Sequence, residues 1–292
     1  MFIPCKFLLS AVLLFSLVPP VFSFEPSGGV LVLDGDDDYA ILPLAEQGYI
    51  FPKDTREFTA EMWFYPKAEP KAGDKHIILS QQVVFGLIGR CDFPLNKNQI
   101  CCSGSAHLEG KVRGVIGVNV AVEKNRWNYI AIVYKDRKFG FVYNNRIFRT
   151  REIVLVNRVA AELRGFEEFK NFFVGGLHED RFIIKDGKVL SRWTYFHGEI
   201  DAIRFSNIAR YNLPAELTDE PFDPPHHFFI DEHTMALWNF DEKVGANRFQ
   251  DASGGGKTLI GMNGVTTSGA LAVNPANTSI ATTWSQIKLE SF

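Results

Sequence analysis

The chain is poor in the residues that mark several function classes. It holds four cysteines in 292 residues, and Cys5 precedes the first apolar run. No histidine stands at zinc-ligand spacing from the other three, Cys91, Cys101 and Cys102, so the common Cys/His zinc motifs are excluded. There is no excess of positive charge: 31 Lys and Arg face 34 Asp and Glu. The basic footprint of a nucleic-acid binder is therefore missing. Beyond residue 23 no apolar run approaches the ~20 residues a membrane-spanning helix needs. No Gly-x-Ser-x-Gly or HExxH motif occurs. The GGGKT stretch at Gly254 to Thr258 places Asp251 where a phosphate loop would begin with glycine, so it reads as a flexible turn. Helical periodicity is scarce too. Only Arg158 to Phe173 spaces its apolar residues (Val159, Leu163, Phe166, Phe169) as a helix would, and Gly165 interrupts it.

What is present begins with a processing segment. Lys6, an apolar run from Phe7 to Val18 and the small end Val21-Phe22-Ser23 predict an export signal over residues 1–23, removed after Ser23. The mature chain is then expected outside the cytoplasm, secreted or in the cell envelope, with no transmembrane segment. An oxidising compartment permits a disulfide, and the short spacing predicts Cys91 paired with Cys101 or with Cys102, leaving one thiol over. Such a loop contributes ~3 kcal/mol in the chain-entropy model. Non-reducing peptide mapping of the exported chain is expected to recover one of these two linkages; three free thiols would overturn the pairing.

Phenylalanine is abundant, at 26 residues, and aromatic or β-branched residues alternate with polar ones along much of the chain. GVLVLDGDDDYAIL (Gly29 to Leu42) reads as strand, acidic turn, strand. FTAEMWFYP, ending at Pro66, is apolar on both faces, which predicts cover on both sides. RWNYIAIVYKDRKFGFVYNN reads as a hairpin ending in an Asn-Asn turn. FHGEIDAIRFSNIARY (Phe196 to Tyr211) is a strand whose apolar phase slips near Asp201, as a β-bulge, or cover on both faces of the strand, would produce. ALWNFDE is a late strand, followed by the turn DASGGG. No repeat or linker divides the chain, so one domain of many short strands is expected over residues 24–264, with a Ser/Thr/Asn/Ala-rich tail over 265–292.

In this order, VLVLDGDDDYAIL, FTAEMWFYP, RWNYIAIVY, FVYNN, GEIDAIRFSNIARY and ALWNFDE resemble the LamG-like jelly-roll domains of the concanavalin A-like superfamily, of the kind found in secreted bacterial proteins. The resemblance runs from about Gly29 to about Gly261. It departs at Ala202, where the family usually has Glu, and in the long insertion between Gly176 and Phe196. The implied fold is all-β, a two-sheet antiparallel jelly-roll sandwich. Superfamily members that hold a structural calcium between first and last strands would imply Asp34, Asp36 and Asp241 as ligands. The competing reading of LDGDDDY is a solvated acidic turn.

Laminarinase-like glycosidases of the superfamily carry E-I-D-x-x-E. Retaining hydrolysis needs two carboxyl groups ~5 Å apart. Here Glu199 and Asp201 stand in place, but the third carboxylate falls at Ile203 or Arg204, and neither supplies a proton. No catalytic residue is therefore assigned. The expected function is recognition of an extracellular glycan or cell-surface protein. Trp193, Tyr195 and Tyr211 are the candidate aromatic platform, although core roles compete for each. A glycoside hydrolase and a structural or adhesive envelope protein are the alternatives.

Overall fold

A computed structural model describes residues 24–268 apart from 25, 27, 49, 51–56, 68–75, 78, 82–89, 93, 97–98, 102, 109–110, 115–118, 137, 150–153, 160–170, 180–183, 186–187, 190–191 and 217. The described residues form an all-β protein built around two antiparallel sheets, with one short helix at Leu44–Gln47. The larger sheet runs in the order Asp219–Pro221, Arg146–Arg149, Lys138–Tyr143, Asn128–Lys135, Phe58–Pro66, His197–Ser206, Leu31–Asp34, Thr266–Thr267. Thr234–Trp238 pairs with the far half of His197–Ser206. The smaller sheet is Arg248–Phe249, Leu259–Met262, Tyr39–Leu42, Phe172–Val174, Leu79–Gln81.

Alternation decides what each strand buries. In FTAEMWFYP, Phe58, Ala60, Met62 and Phe64 are fully buried in the main core between the sheets. From the opposite sheet Ala40, Leu42, Phe172, Val174 and Leu259 join them. Trp238 stacks on Phe172 at 5.8 Å, and its indole N–H donates to the Lys257 carbonyl at 2.6 Å.

The outer face of the large sheet is covered as well. Residues 207–233 cross it and close a second core around Trp63, Tyr129, Ala131, Val142 and Ile147, with Tyr211, Leu213, Phe222 and Phe228 packed on top. Thr59 fixes one end of the crossing. Its hydroxyl donates to the Ile208 carbonyl and accepts the Arg210 N–H, both at 2.9 Å. Trp63 fixes the other, its indole N–H donating to the Pro225 carbonyl at 2.9 Å. This crossing is why the strand Phe58–Pro66 is apolar on both faces.

The bulge expected near Asp201 is present. Ile200 lies opposite Phe64 and Ile203 opposite Met62, so a step of three residues on one strand meets a step of two on the other. Both isoleucines thereby face the main core, while Asp201 and Ala202 turn outward.

Two expectations change. The ends of the predicted helix are strands, Val154–Val159 and Phe172–Val174, and residues 160–170 lie outside the described residues. β-branched and aromatic residues at both ends favour pairing over the helical spacing. The sandwich also extends past residue 264: Thr266 and Thr267 pair with Val32 and Leu31, and the Ser268 N–H donates to the Val30 carbonyl. First and last strands thus share one sheet. Residues 1–23 and 269–292 lie outside the described residues, as does Cys102. Cys91 lies in a strand opposite Gly104, and Cys101 in a different small sheet opposite Asn119; their side chains are not among those described. No helix among the described residues is long and apolar enough to cross a membrane.

Candidate functional site

Two groups of polar residues lie on the outer face of the large sheet, and they differ in whether the protein satisfies them. The first centres on Glu61, which is fully buried. Arg204 lies directly opposite it on the neighbouring strand and donates from Nε and Nη2 to Glu61 Oε1, both at 2.8 Å. The phenols of Tyr129 and Tyr211 each donate to Oε2 at 2.5 Å. Burial, then the Glu61 charge, pushes both phenols well above their ordinary range, so both remain donors. Arg204 also donates to the Phe229 carbonyl at 3.1 Å and lies 4.7 Å from the Phe228 ring centroid. Nearby, Arg210 makes a bidentate pair with Asp231 at 2.8 and 2.6 Å, which holds the Asp231 carboxyl well below its usual range. These pairs clamp the crossing segment onto the sheet.

The second group is satisfied only in part. A cavity of about 190 Å³ is lined by Gly28, Trp63, Asp201, Ala202, Asn239 and Asp241, with His226, His227 and Phe228 contributed by the crossing segment. Two backbone features build it. The bulge turns Asp201 and Ala202 outward between Ile200 and Ile203, which face the core. Phe240 then adopts φ +58°, unusual for a bulky residue, with its ring buried against Phe249. Anchoring Phe240 inward leaves Asn239 and Asp241 on the cavity side. The first strand meets them here: Asp241 Oδ1 accepts the Gly29 N–H at 2.8 Å, and a Cβ on Gly28 would lie 2.0 Å from that oxygen. A side chain at residue 28 would have to push the Asp241 carboxylate aside.

Asp201 is 8% exposed, yet no hydrogen bond to its carboxyl is found among the described residues. Burial, with the neighbouring Asp241 charge, pushes its carboxyl from 3.8 up to about 7. The Lys and Arg groups on this face are engaged elsewhere: Arg204 with Glu61, Arg210 with Asp231, and Lys67 with Glu199 at 2.6 Å; the basic side chains in the lining itself are His226 and His227. A buried, unpaired polar group costs stability and needs an explanation, of which a bound ligand, ion or water is one. Asn239, half-buried beside it, also has no side-chain partner among the described residues.

The structure redistributes the residues singled out from the sequence. Asp34, Asp36 and Asp241 do not gather around one point. Asp241 binds the start of the first strand and Asp34 ends it, on the order of 15 Å away at ~3.3 Å per residue. The acidic turn satisfies itself instead. The Asp34 N–H donates to both Asp38 carboxylate oxygens at 3.1 Å, and the Asp36 N–H to Asp34 Oδ1 at 2.8 Å. Among the described residues no group of three or more His, Cys, Asp or Glu is placed to hold a metal ion. Trp193, Tyr195 and Tyr211 do not form one platform either. Tyr211 belongs to the Glu61 network on the large sheet's outer face, while Tyr195 lies 6.4 Å from Tyr39, which packs with Phe173 and Ile41 outside the smaller sheet. Trp193 lies opposite His178 in the paired strands Gly176–Glu179 and Arg192–Tyr195, its side chain outside the described residues. Glu199, engaged by Lys67, does not act with Asp201.

Sequence reasoning missed Glu61 as the partner of Arg204. The signal was a charged residue at the centre of each of two apolar strands. It also missed the meeting of Asp201, Asn239 and Asp241, which depends on the bulge and the left-handed Phe240 together.

No family model matches the sequence, and no curated protein is similar to it at the sequence level. Solved structures with a related shape include a Bacteroides ovatus protein assigned to carbohydrate binding. It is 16% identical with a TM-score of 0.46, over 86% of this chain and 63% of that one. Domains LG4-5 of mouse laminin α1 are 12% identical with a TM-score of 0.39, over 68% of this chain and 47% of theirs. The CBM40 module of a Ruminococcus gnavus sialidase, bound to α2,3-sialyllactose, is 13% identical with a TM-score of 0.36, over 65% of this chain and 95% of the module. Likeness at this level carries no argument about ligand or activity. The sandwich rests on the strand pairing itself.

Proposed function

We propose that this chain is an exported, non-catalytic recognition module of the LamG-like jelly-roll type that binds an extracellular glycan in the Asp201–Asp241 cavity. The observation that carries the reading is the Asp201 carboxyl, nine-tenths buried, turned into a solvent-reached cavity and left without a protein partner. Carboxylates and an amide beside the apolar edges of Trp63 and Phe228 suit a sugar, which offers hydroxyls on its rim and C–H groups on its faces. At about 190 Å³ the cavity is smaller than the ~300–1,000 Å³ of a drug-sized site, so it takes one sugar unit of a chain rather than an oligosaccharide.

The test is a glycan screen of the secreted chain beside Asp241→Ala and Tyr195→Ala. Binding to a subset of glycans is expected, lost in Asp241→Ala and retained in Tyr195→Ala. No glycan binding by the unmutated chain, with capture of a cell-surface protein instead, would favour the adhesive alternative.

One observation favours a second reading, glycoside hydrolysis: a carboxyl held up to about 7 beside a second carboxylate is the pairing such chemistry uses. Against it, Asp241 Oδ1 is already committed to the Gly29 N–H. The expected result with β-linked glucans is no turnover; turnover abolished by Asp201→Asn would establish hydrolysis in its place.

A further inference from the structure

Resting on that glycan reading, we infer that the sugar unit seated in the cavity is a cationic one, an amino sugar whose free ammonium group binds between Asp201 and Asp241. Two carboxylates converge on the cavity, no Lys or Arg is paired with either, and the basic side chains in the lining are the imidazoles of His226 and His227. Lys67, Arg204 and Arg210 are paired elsewhere by short contacts, so none of them swings in without breaking a formed ion pair. Where Asp201 is ionised, a neutral sugar hydroxyl would leave its repulsion with Asp241 in place in a poorly solvated site. An ammonium removes that repulsion and donates up to three hydrogen bonds.

The donor set discriminates against a bare metal ion. Calcium takes six to eight oxygens, and no group of three or more His, Cys, Asp or Glu side chains converges here among the described residues. An ammonium is content with two carboxylates and carries the rest of its ligand with it. The remaining lining fits what surrounds the amine of a pyranose. Asn239 can both donate to and accept from the flanking hydroxyls, and the edges of Trp63 and Phe228 meet the sugar's C–H groups. A lysine side chain carries the same ammonium on a bare methylene stem, which would leave the Asn239 amide unpaired. The protein also maintains this arrangement at a cost: a bulky residue in the left-handed region at Phe240 and a buried unpaired carboxyl at Asp201.

The experiment is isothermal titration of the full secreted chain with four probes: a glucosamine tetramer, its N-acetylated counterpart, a glucose tetramer of the same linkage, and N-acetyl-lysine amide. Each is repeated with Asp201→Asn and with Gly28→Ala, whose new Cβ would displace the Asp241 carboxylate. The glucosamine tetramer is expected to bind ~10-fold or more tightly than either neutral tetramer, the gain of a charge-assisted over a neutral hydrogen bond. Both variants should erase that preference. Equal binding of all three tetramers, unchanged by Asp201→Asn, would overturn the ammonium inference while leaving glycan binding in place. Lysine amide binding as tightly as the glucosamine tetramer would overturn the assignment to a sugar. No binding of any tetramer would overturn both the inference and the glycan reading.

Discussion

Replacing Asp201 by Asn is expected to stabilise the protein at pH 8 by as much as about 4 kcal/mol, and to change little at pH 4. The carboxyl is pushed from 3.8 in its ordinary state to about 7 in the fold, first by burial and then by the Asp241 charge. At ~1.36 kcal/mol for each tenfold change in proton affinity, that interval caps the gain at about 4 kcal/mol. The sign follows from linkage. The folded state holds the proton more tightly than the unfolded chain, so Asp201 does no harm below its unfolded value near 4. Its penalty grows as pH rises towards 7 and is complete above it. Asparagine keeps the shape and cannot ionise, so it escapes the penalty. Urea unfolding of both proteins at pH 4, 6 and 8 reads this directly. A variant less stable than the parent at pH 8 would show that Asp201 has a structural partner. Loss of glycan binding together with gained stability would mark a residue retained for function at the expense of the fold.

The opposite effect is expected at Glu61. Glu61→Gln should lower stability by ~3–5 kcal/mol, because it leaves the Arg204 guanidinium buried without a counter-charge. The two phenols would also exchange a carboxylate acceptor for a neutral amide oxygen. The pair Glu61→Gln with Arg204→Met should recover part of the loss, since the stranded charge is then gone. Because Tyr211 lies on the crossing segment, the single variant should also loosen residues 207–233, seen as faster amide exchange there than in Phe58–Pro66. A Glu61→Gln protein within ~1 kcal/mol of the parent would mean the network is not what holds the segment down.

The sandwich was legible in the sequence because its physics is local. Alternation in FTAEMWFYP and the hairpin at Asn144-Asn145 each follow from a few adjacent residues. So did the bulge, one of the two readings of the phase slip between Ile200 and Ile203, since an inserted residue shifts apolar phase. Arg204 was legible as unfit for acid catalysis, but its real partner required the register of two strands 143 residues apart. The predicted helix is described only at its ends, where spacing over a window said nothing about partners and the strands Val154–Val159 and Phe172–Val174 find theirs elsewhere. The calcium triad misled for a related reason. Placing first and last strands in one sheet did not say which end of the first strand Asp241 would reach. The cavity lay beyond reach, because two separate backbone irregularities aim its three polar residues.

The central claim is that ligand enters between the first strand, the bulge and the Asn239–Asp241 turn. The most direct measurement is amide and side-chain NMR of the full chain titrated with the tightest-binding glycan. The shifts should concentrate at Gly28, Gly29, Asp201, Ala202, Asn239, Asp241 and the Trp63 indole. Shifts concentrated instead at Trp193 to Tyr195, outside the smaller sheet, would contradict the account.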